Sequence, residues 1–583
     1  MSAVVPGRLL LRGGVVSAPG VPDATAVLVE RGLVAWIGDE SGADALLRTA
    51  GAVPDTVALD GRLVTAAFVD AHVHLAATGL AVSSPDLSGT RSATQLLDAV
   101  AASARALPRG QVVLGLGWDD STWAEPGRLP TRSQLDQASG GRPVFLGRVD
   151  VHSALVTGGP VGRGGRAGPD GRGDPDDRGD PDGRGDPDGR DWSGAGEDAL
   201  LAWEDRPGAV TLPRVLSGLL TRAARRDLLA AALDAAAAAG IGLLHEMAAP
   251  QLADVDDLAL LAELGVLLRP EDPDTGPRGD GGPARPLVAA WWGQHVADGG
   301  PAVARAAGAT GCGGDLCVDG SLGSRTAALL APYRDHAGSG LLQLDAAQIA
   351  EHVVACARAG MRTGFHLIGD RAAAALADGL ARAAAAVGPA AVAATAPRLE
   401  HAEMIPPELV APLAGHGAIA SVQPAFATTW GQPGGMYEQR LGPARAAGMN
   451  AFADLAAAGL PLALGSDAPV TPLAGWASVR DAVQHPVPHQ GLGARAAFAA
   501  ATRGGWRAAG RPTVGRVTVG APAHLACWDV PGGWEQADPD ARVARWSTDP
   551  ASGAPPLPAL GTDRALPVCR GLLVGGRRTG AWD

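Results

Sequence analysis

The chain contains no lysine: all 48 of its basic residues are arginine, so no lysine-dependent chemistry is open to it. Cysteine is also sparse. Cys312, Cys317, Cys356, Cys527 and Cys569 form no CxxC pair and are odd in number, which predicts a reducing, cytoplasmic setting rather than a disulfide framework. Positive charge is in deficit, with a formal net charge of -13. That balance argues against nucleic acid or an anionic membrane as partner and points to a small-molecule substrate. Long apolar runs are missing too. The opening MSAVVPGRLLLRGG has no signal-peptide core, and the most membrane-like stretch, Leu228 to Leu244, is interrupted by Asp234 and two glycines.

What the chain does have is ample core material, with 46% hydrophobic residues over 583 positions, enough for a large domain and a smaller one. RLLLRGGVV, TAVLVERGLVAWIG and DTVALDGRLV near the start read as short strands separated by turn residues. GRVTVGAPAHLACWDV and LPVCRGLLVGGRR near the end have the same texture. Two strand-rich ends around a long middle predict a β-sandwich built from both termini, residues 1–66 and 505–583. In the middle, alanine-rich helices alternate with compact apolar runs. DAAQIAEHVVACARAG carries a complete set of helix boundaries, with Asp345 as cap, Gln348 three residues on and Gly360 beyond the last turn. Strands are expected in LVTAAFVDAHVHL, GIGLLHEM, RPLVAAWW, GDLCVDGSL, MRTGFHLIG, RLEHAEM, AIASVQPAF and LPLALGSDAPV. Eight such strands with helical crossovers predict a TIM-type (β/α)8 barrel over residues 67–504.

An insert of about residues 78–212 breaks the pattern, and within it residues 160–192 are predicted to be disordered. Residues 171–190 there, GRGDPDDRGDPDGRGDPDGR, repeat a six-residue unit that cannot bury a core. The RGD triplets are a by-product of that repeat. Residues 270–286 form a second loop-like stretch.

The candidate ligands share one address, the carboxyl end of an expected strand: His72, His74, Asp315, His366, His401 and Asp467. Barrel active sites are assembled at that face from several strands at once. Imidazoles and carboxylates together suit a borderline divalent ion, Zn2+ by preference, with a position left for water. His245 and Glu246 in LLHEMAAP imitate a zinc-protease helix, but Ala249 stands where the second histidine would be and the segment is strand-like.

FVDAHVHL, VDGSLGSRTAALLAPY, GFHLIGDRA, RLEHAEMI, SVQPAF and LGSDAPVTPL, in that order, resemble the signature blocks of the metal-dependent amidohydrolase superfamily. The nearest likeness is to the YtcJ-like amidohydrolase 3 branch, which includes N-substituted formamide deformylases. The resemblance implies His72 and His74 as first-strand metal ligands, His366 as the fifth-strand ligand, His401 as the sixth-strand ligand with a share in catalysis, and Asp467 as ligand and proton shuttle. It places Trp118, Asp119 and His152 in the insert as substrate contacts, with Arg325 following the fourth strand in the same role. Many binuclear members bridge two metals with a carboxylated lysine; here that position is Asp315. Because aspartate is several atoms shorter, one ion is the firm expectation and one-metal chemistry is favoured, unless the fourth strand moves inward.

The implied activity is hydrolysis of a C–N bond in a small amide, formamide or cyclic amide through a water activated on the metal, with Asp467 as general base and acid. Deamination of a heterocycle uses the same chemistry. A metal-poor, non-catalytic homologue is the reading from another class, and a homodimer is left open as the assembly. Because the 171–190 repeat contributes so little apolar surface, its deletion is expected to leave the melting temperature and turnover within error of the full chain. A large fall in melting temperature would show that the repeat packs.

Overall fold

Eight parallel strands form one sheet that curls almost completely on itself. They are β1 (Phe68–Val73), β2 (Ile241–Ala248), β3 (Leu287–Trp292), β4 (Gly311–Cys312), β5 (Arg362–Leu367), β6 (Arg398–His401), β7 (Ile419–Val422) and β8 (Leu462–Leu464). The structure is a computed structural model that describes residues 7–21, 23–49, 53–108, 111–120, 123–125, 128–148, 153–157, 200–202, 219–276, 284–535, 557–579 and 582. The sheet closes where Asp467 N–H donates to the His72 carbonyl (2.8 Å) and His74 N–H to that of Ala468 (2.9 Å). Closure therefore brings the HVH segment and Asp467 side by side. All eight residues of β2 are buried, as expected of a parallel strand covered on both faces, and its composition is apolar except at His245 and Glu246.

The crossover α1 (Ala346–Ala359) forms as its boundaries predict. Asp345 accepts from the N–H groups of Ala347 and Gln348, Gln348 accepts from Asp345 N–H, and Gly360 ends the helix in the left-handed region at φ 64°. Only glycine takes that turn without strain.

Both termini contribute to a sandwich, as the sequence predicts. One sheet orders the strands Leu33–Gly38, Ala26–Glu30, Arg8–Arg12 and Asp55–Ala58, and the other Val15–Val16, Leu63–Ala66, Leu525–Asp529, Val568–Val574 and Arg577–Thr579. Leu9, Leu11, Val27 and Val29 of the first meet Val64, Leu525, Cys527 and Leu573 of the second in a common core. The expected strand LVTAAFVDAHVHL divides at Ala67, with its first half in the sandwich and its second in the barrel. Phe68, at the division, packs edge-on against Trp476 (5.2 Å) and against Trp528 of the sandwich (5.4 Å). The ligand strand is thus held from both sides.

Residues Gly79–Leu228 make a separate compact unit. Its sheet orders Leu200–Ala202, Ser153–Thr157, Val144–Arg148 and Val113–Trp118, covered by the helices Ala93–Ala106 and Arg132–Ser139 over a core that includes Leu96, Val100, Trp118, Leu135 and Leu155. The 160–192 segment lies outside the described residues. Among the described residues no helix is long and apolar enough to cross a membrane.

One expected strand is misplaced. GDLCVDGSL joins the sheet only at Cys317, which bridges in parallel to His366 of β5; β4 itself is the earlier pair Gly311–Cys312, and the chain then turns through Gly313 (φ 132°) and Gly314 (φ 81°). A Cβ on Gly313 would lie 2.2 Å from the Gly364 carbonyl, and one on Gly314 would lie 2.7 Å from Met247 Sδ. The backbone passes where no side chain fits, and Asp315 emerges next. Gly313→Ala should therefore destabilise the fold by about 2–4 kcal/mol, from positive-φ strain plus overlap with β5. Urea unfolding checks this; a midpoint equal to that of the wild type would mean the bend has room to spare.

Candidate metal centre

Six side chains converge where the barrel strands end. His72 and His74 come from β1 and the residue after it, Asp315 from just beyond the glycine bend, His366 from β5, His401 from the end of β6, and Asp467 from three residues past β8. Asp315 lies among the imidazoles. Its Oδ2 is 3.3 Å from His72 Nε2 and 3.3 Å from His74 Nε2, while its Oδ1 is 3.5 Å from His366 Nδ1 and 3.7 Å from His401 Nε2. Asp467 Oδ1 is 3.0 Å from His74 Nε2 and 3.5 Å from His72 Nε2. The premise that aspartate is too short to reach between two sets of histidines is corrected here: following the glycine bend, Asp315 lies within 3.7 Å of all four.

Three of the four rings have their outer nitrogen fixed. His72 Nδ1–H donates to Glu400 Oε2 (2.9 Å), His401 Nδ1–H to Gln423 Oε1 (2.9 Å), and His366 Nε2–H to the Gly320 carbonyl (3.4 Å). With the outer nitrogen fixed in this way, the inner nitrogen of each of these three rings faces the cluster and is the one a cation would take once its proton is displaced. Glu400 is itself gripped by Arg398, which is fully buried. The guanidinium donates from Nε to Glu400 Oε1 (2.7 Å) and from Nη2 to Glu400 Oε2 (3.0 Å), to the Ala71 carbonyl (2.6 Å) and to Ser421 Oγ (2.9 Å). It also lies 4.9 Å from the centre of the Trp291 ring. The remaining neighbour, His245, is kept neutral by burial and by Arg398.

The electrostatics follow from this packing. Burial favours a neutral Asp315, yet His72, His366 and His401 hold its pKa well below the carboxylate range. Asp467 is lowered against burial by His72 and His74. Burial likewise opposes charge on His72 and His74, and the two aspartates still raise both. His366 is pushed up to about 9 against burial by Asp315, whereas His401 is lowered by burial and by His366. Both carboxylates are thus ionised, with protons shared among the imidazoles. A divalent cation substitutes for such protons when it binds.

The residues pass a test of fit for that cation. His72 Nε2, Asp315 Oδ1 and Asp467 Oδ1 are buried without a hydrogen-bond partner, although nitrogen and oxygen face one another at 3.0–3.7 Å across the cluster. Buried polar atoms left in this way are costly unless something occupies the space between them. Two overlapping donor groups meet metal-ligand spacing: His72, His74 and Asp467, and His72, Asp315 and His401.

The expected substrate contacts fare differently. Trp118 is fully buried in the core of the insert, where its indole donates to the Leu146 carbonyl (2.8 Å), so it is a packing residue. Asp119 is paired with Arg148 at 3.0 Å inside the same unit. Arg325 pairs with Asp335, donating from Nε (3.2 Å) and Nη2 (2.8 Å). His152 lies outside the described residues.

The supporting residues escaped the sequence reading. Arg398 and Glu400 left one trace there, since opposite charges two apart on a buried strand share a face and have to pair. Asp70, which accepts from Ser466 N–H (2.8 Å), and Glu246, which accepts from Leu75 N–H (2.6 Å), are pushed by burial up to about 6 and about 7. Asp319 accepts from the N–H groups of Ala328, Ile368 and Gly369 at 2.8–3.0 Å and ties the loop after Asp315 to the one after His366. Phe426 stacks on His401, with centroids 6.0 Å apart and planes 7° apart, and Trp430 packs behind it.

Comparison with known proteins agrees with this architecture. An N-substituted formamide deformylase from Arthrobacter pascens is 37% identical over 134 residues, covering 22% of this chain and 24% of that protein. The putative amidohydrolase YtcJ of Bacillus subtilis (strain 168) is 32% identical over 133 residues, again 22% of this chain and 24% of the relative. The chain thus matches about a quarter of the length of either. A solved metal-dependent hydrolase of uncharacterised function from Pyrococcus furiosus shares the fold, with a TM-score of 0.66 at 21% identity over 89% of this chain and 98% of that one. A profile described as the amidohydrolase family matches residues 55–578, nearly the whole length, and the chain belongs to that family.

Proposed function

We propose that the protein is a metal-dependent hydrolase that cleaves the C–N bond of a small amide, formamide or cyclic amide. The observation that carries this reading is the convergence of four imidazoles and two ionised carboxylates, with unpartnered atoms facing inward. His72, His74 and Asp467 would hold one divalent ion and His366 with His401 a second, with Asp315 between them; zinc suits this donor set. Such ions supply a polarising Lewis acid and a water of lowered pKa. Asp467, kept ionised by His72 and His74, takes a proton from the attacking water and later returns it to the departing nitrogen, so that amide and water leave as acid and amine. His401, fixed by Gln423 and backed by Phe426, serves as a ligand, and the aromatic pair beyond it favours an apolar substituent.

A hydrolysis screen over N-formyl amines, N-acyl amino acids, hydantoins and aminopyrimidines, run on protein of known metal content, tests the reading. Turnover is expected on at least one of the first three, and His72→Ala should lose metal and turnover while its circular dichroism spectrum stays native. Wild-type protein without bound metal would reduce the chain to a non-catalytic homologue. Turnover confined to the aminopyrimidines would make it a deaminase.

Asp315 and the absence of lysine generate a separate expectation. Reconstitution of metal-free protein should be independent of bicarbonate, because no lysine carbamate has to form. Asp315→Ala should lower the bound metal from about two ions per chain to about one and remove most turnover. A wild type that binds one ion, and a variant that keeps it, would make Asp315 an outer partner of the histidines.

A further inference from the structure

Behind the glycine bend lies a second group of metal-ligating side chains. Cys312 on β4 faces His352 and Cys356, which sit one turn apart on α1, and all three are fully buried. One donor atom from each lies within 4.8 Å of the other two. Cys356 Sγ is 3.6 Å from His352 Nε2, and Cys312 Sγ is 3.3 Å from the Gln294 carbonyl oxygen. A tetrahedral zinc ion with ordinary bond lengths separates a sulfur from a neighbouring nitrogen or oxygen ligand by about 3.5 Å. The observed spacings match that edge.

We propose that Cys312, Cys356 and His352, with the Gln294 carbonyl as fourth donor, form a structural site for a thiophilic divalent cation, zinc by class. Charge favours a divalent ion in this apolar position, because two thiolates and one such ion sum to zero, which a buried group requires. Binding releases the two thiol protons to solvent and moves the imidazole proton from Nε2, where it now faces the Cys312 carbonyl at 3.2 Å, to Nδ1. Nδ1 is buried and has no other partner. His295, stacked on His352 with centroids 5.4 Å apart, is engaged with the Gln348 carbonyl and Ala297 N–H and serves as a wall rather than a ligand. Enclosure of the site means that the ion enters as α1 docks during folding. It would clamp α1 to the strand that ends three residues before Asp315, and so fix the base of the bend that places Asp315 among the histidines.

Cobalt reads this site alone, since the donors of the centre at the barrel mouth are nitrogen and oxygen. Full-length protein produced in cobalt-supplemented medium should show an intense near-ultraviolet thiolate-to-cobalt absorption. Cys312→Ser and Cys356→Ser should each weaken or abolish it and lower the bound metal by about one ion per chain, whereas Cys317→Ser and His72→Ala should leave it unchanged. The wild-type spectrum decides the matter even if the cysteine variants do not fold. Absence of the band from cobalt-loaded wild type, its persistence in both serine variants, or a Cys312–Cys356 disulfide in freshly isolated protein would overturn the proposal.

Discussion

Four imidazoles crowd the mouth of this barrel with ring centres as little as 4.5 Å apart, and the negative charge of Asp315 among them is the constraint on which the site depends. Without it, His72, His366 and His401 would face one another with nothing between them to offset their protons. With it, each ring has an ionised oxygen within 3.7 Å and the carboxylate stays charged against strong burial. Its position is a backbone effect. Gly313 and Gly314 let the chain pass where a Cβ would strike β5 or Met247, and so bring the short aspartate side chain within reach of the histidines.

A second charge, on the opposite side of His72, keeps the arrangement asymmetric. Burying Glu400 costs several kcal/mol unless it is paired and hydrogen-bonded, and Arg398 satisfies both of its oxygens while bonding to the carbonyl of Ala71, next to His72. Glu400 can therefore remain ionised and draw the Nδ1 proton of His72 toward itself. The consequence at the other side of the ring is that Nε2 faces Asp315 and Asp467, where a cation can take the place of the proton these carboxylates favour. The same logic acts through Gln423 on His401 and through the Gly320 carbonyl on His366, so three rings are oriented by three chemically different acceptors.

How far the sequence revealed this depended on how local the signal was. The capping box and Gly360 of α1, the alternation of helix and apolar run, and the histidines at strand ends were all legible, because each is written in a few adjacent residues. The fourth strand was not. VDGSLGSR has a strong motif, and the apolar residues of GDLCVDGSL have strand composition, but the pairing with β3 and most of that with β5 is made by Gly311 and Cys312, two residues with little β propensity, and GDLCVDGSL adds a single bridge at Cys317. The surroundings of Trp118 and Arg325 were not legible either. A side chain's motif membership does not show whether its polar atoms are already taken, and Leu146 and Asp335 take them here.

The backbone records the demands of the site as well. His401 (φ 70°), Ala402 (φ 51°) and Asp467 (φ 56°) are non-glycine residues in the left-handed region, and two of them are members of the cluster. Conformations of this kind cost about 1–3 kcal/mol each and persist where the surroundings over-determine them. Such surroundings are present: Asp467 N–H is bonded to the His72 carbonyl, Ala402 N–H to that of Leu367, and His401 is fixed by Gln423. Each strained residue is thus tied by hydrogen bonds to a neighbouring strand or to the residue that follows one. Relaxing any of them would break a bond across the barrel, and that is why side chains from five separate strands and the turns after them stay aimed at one small volume.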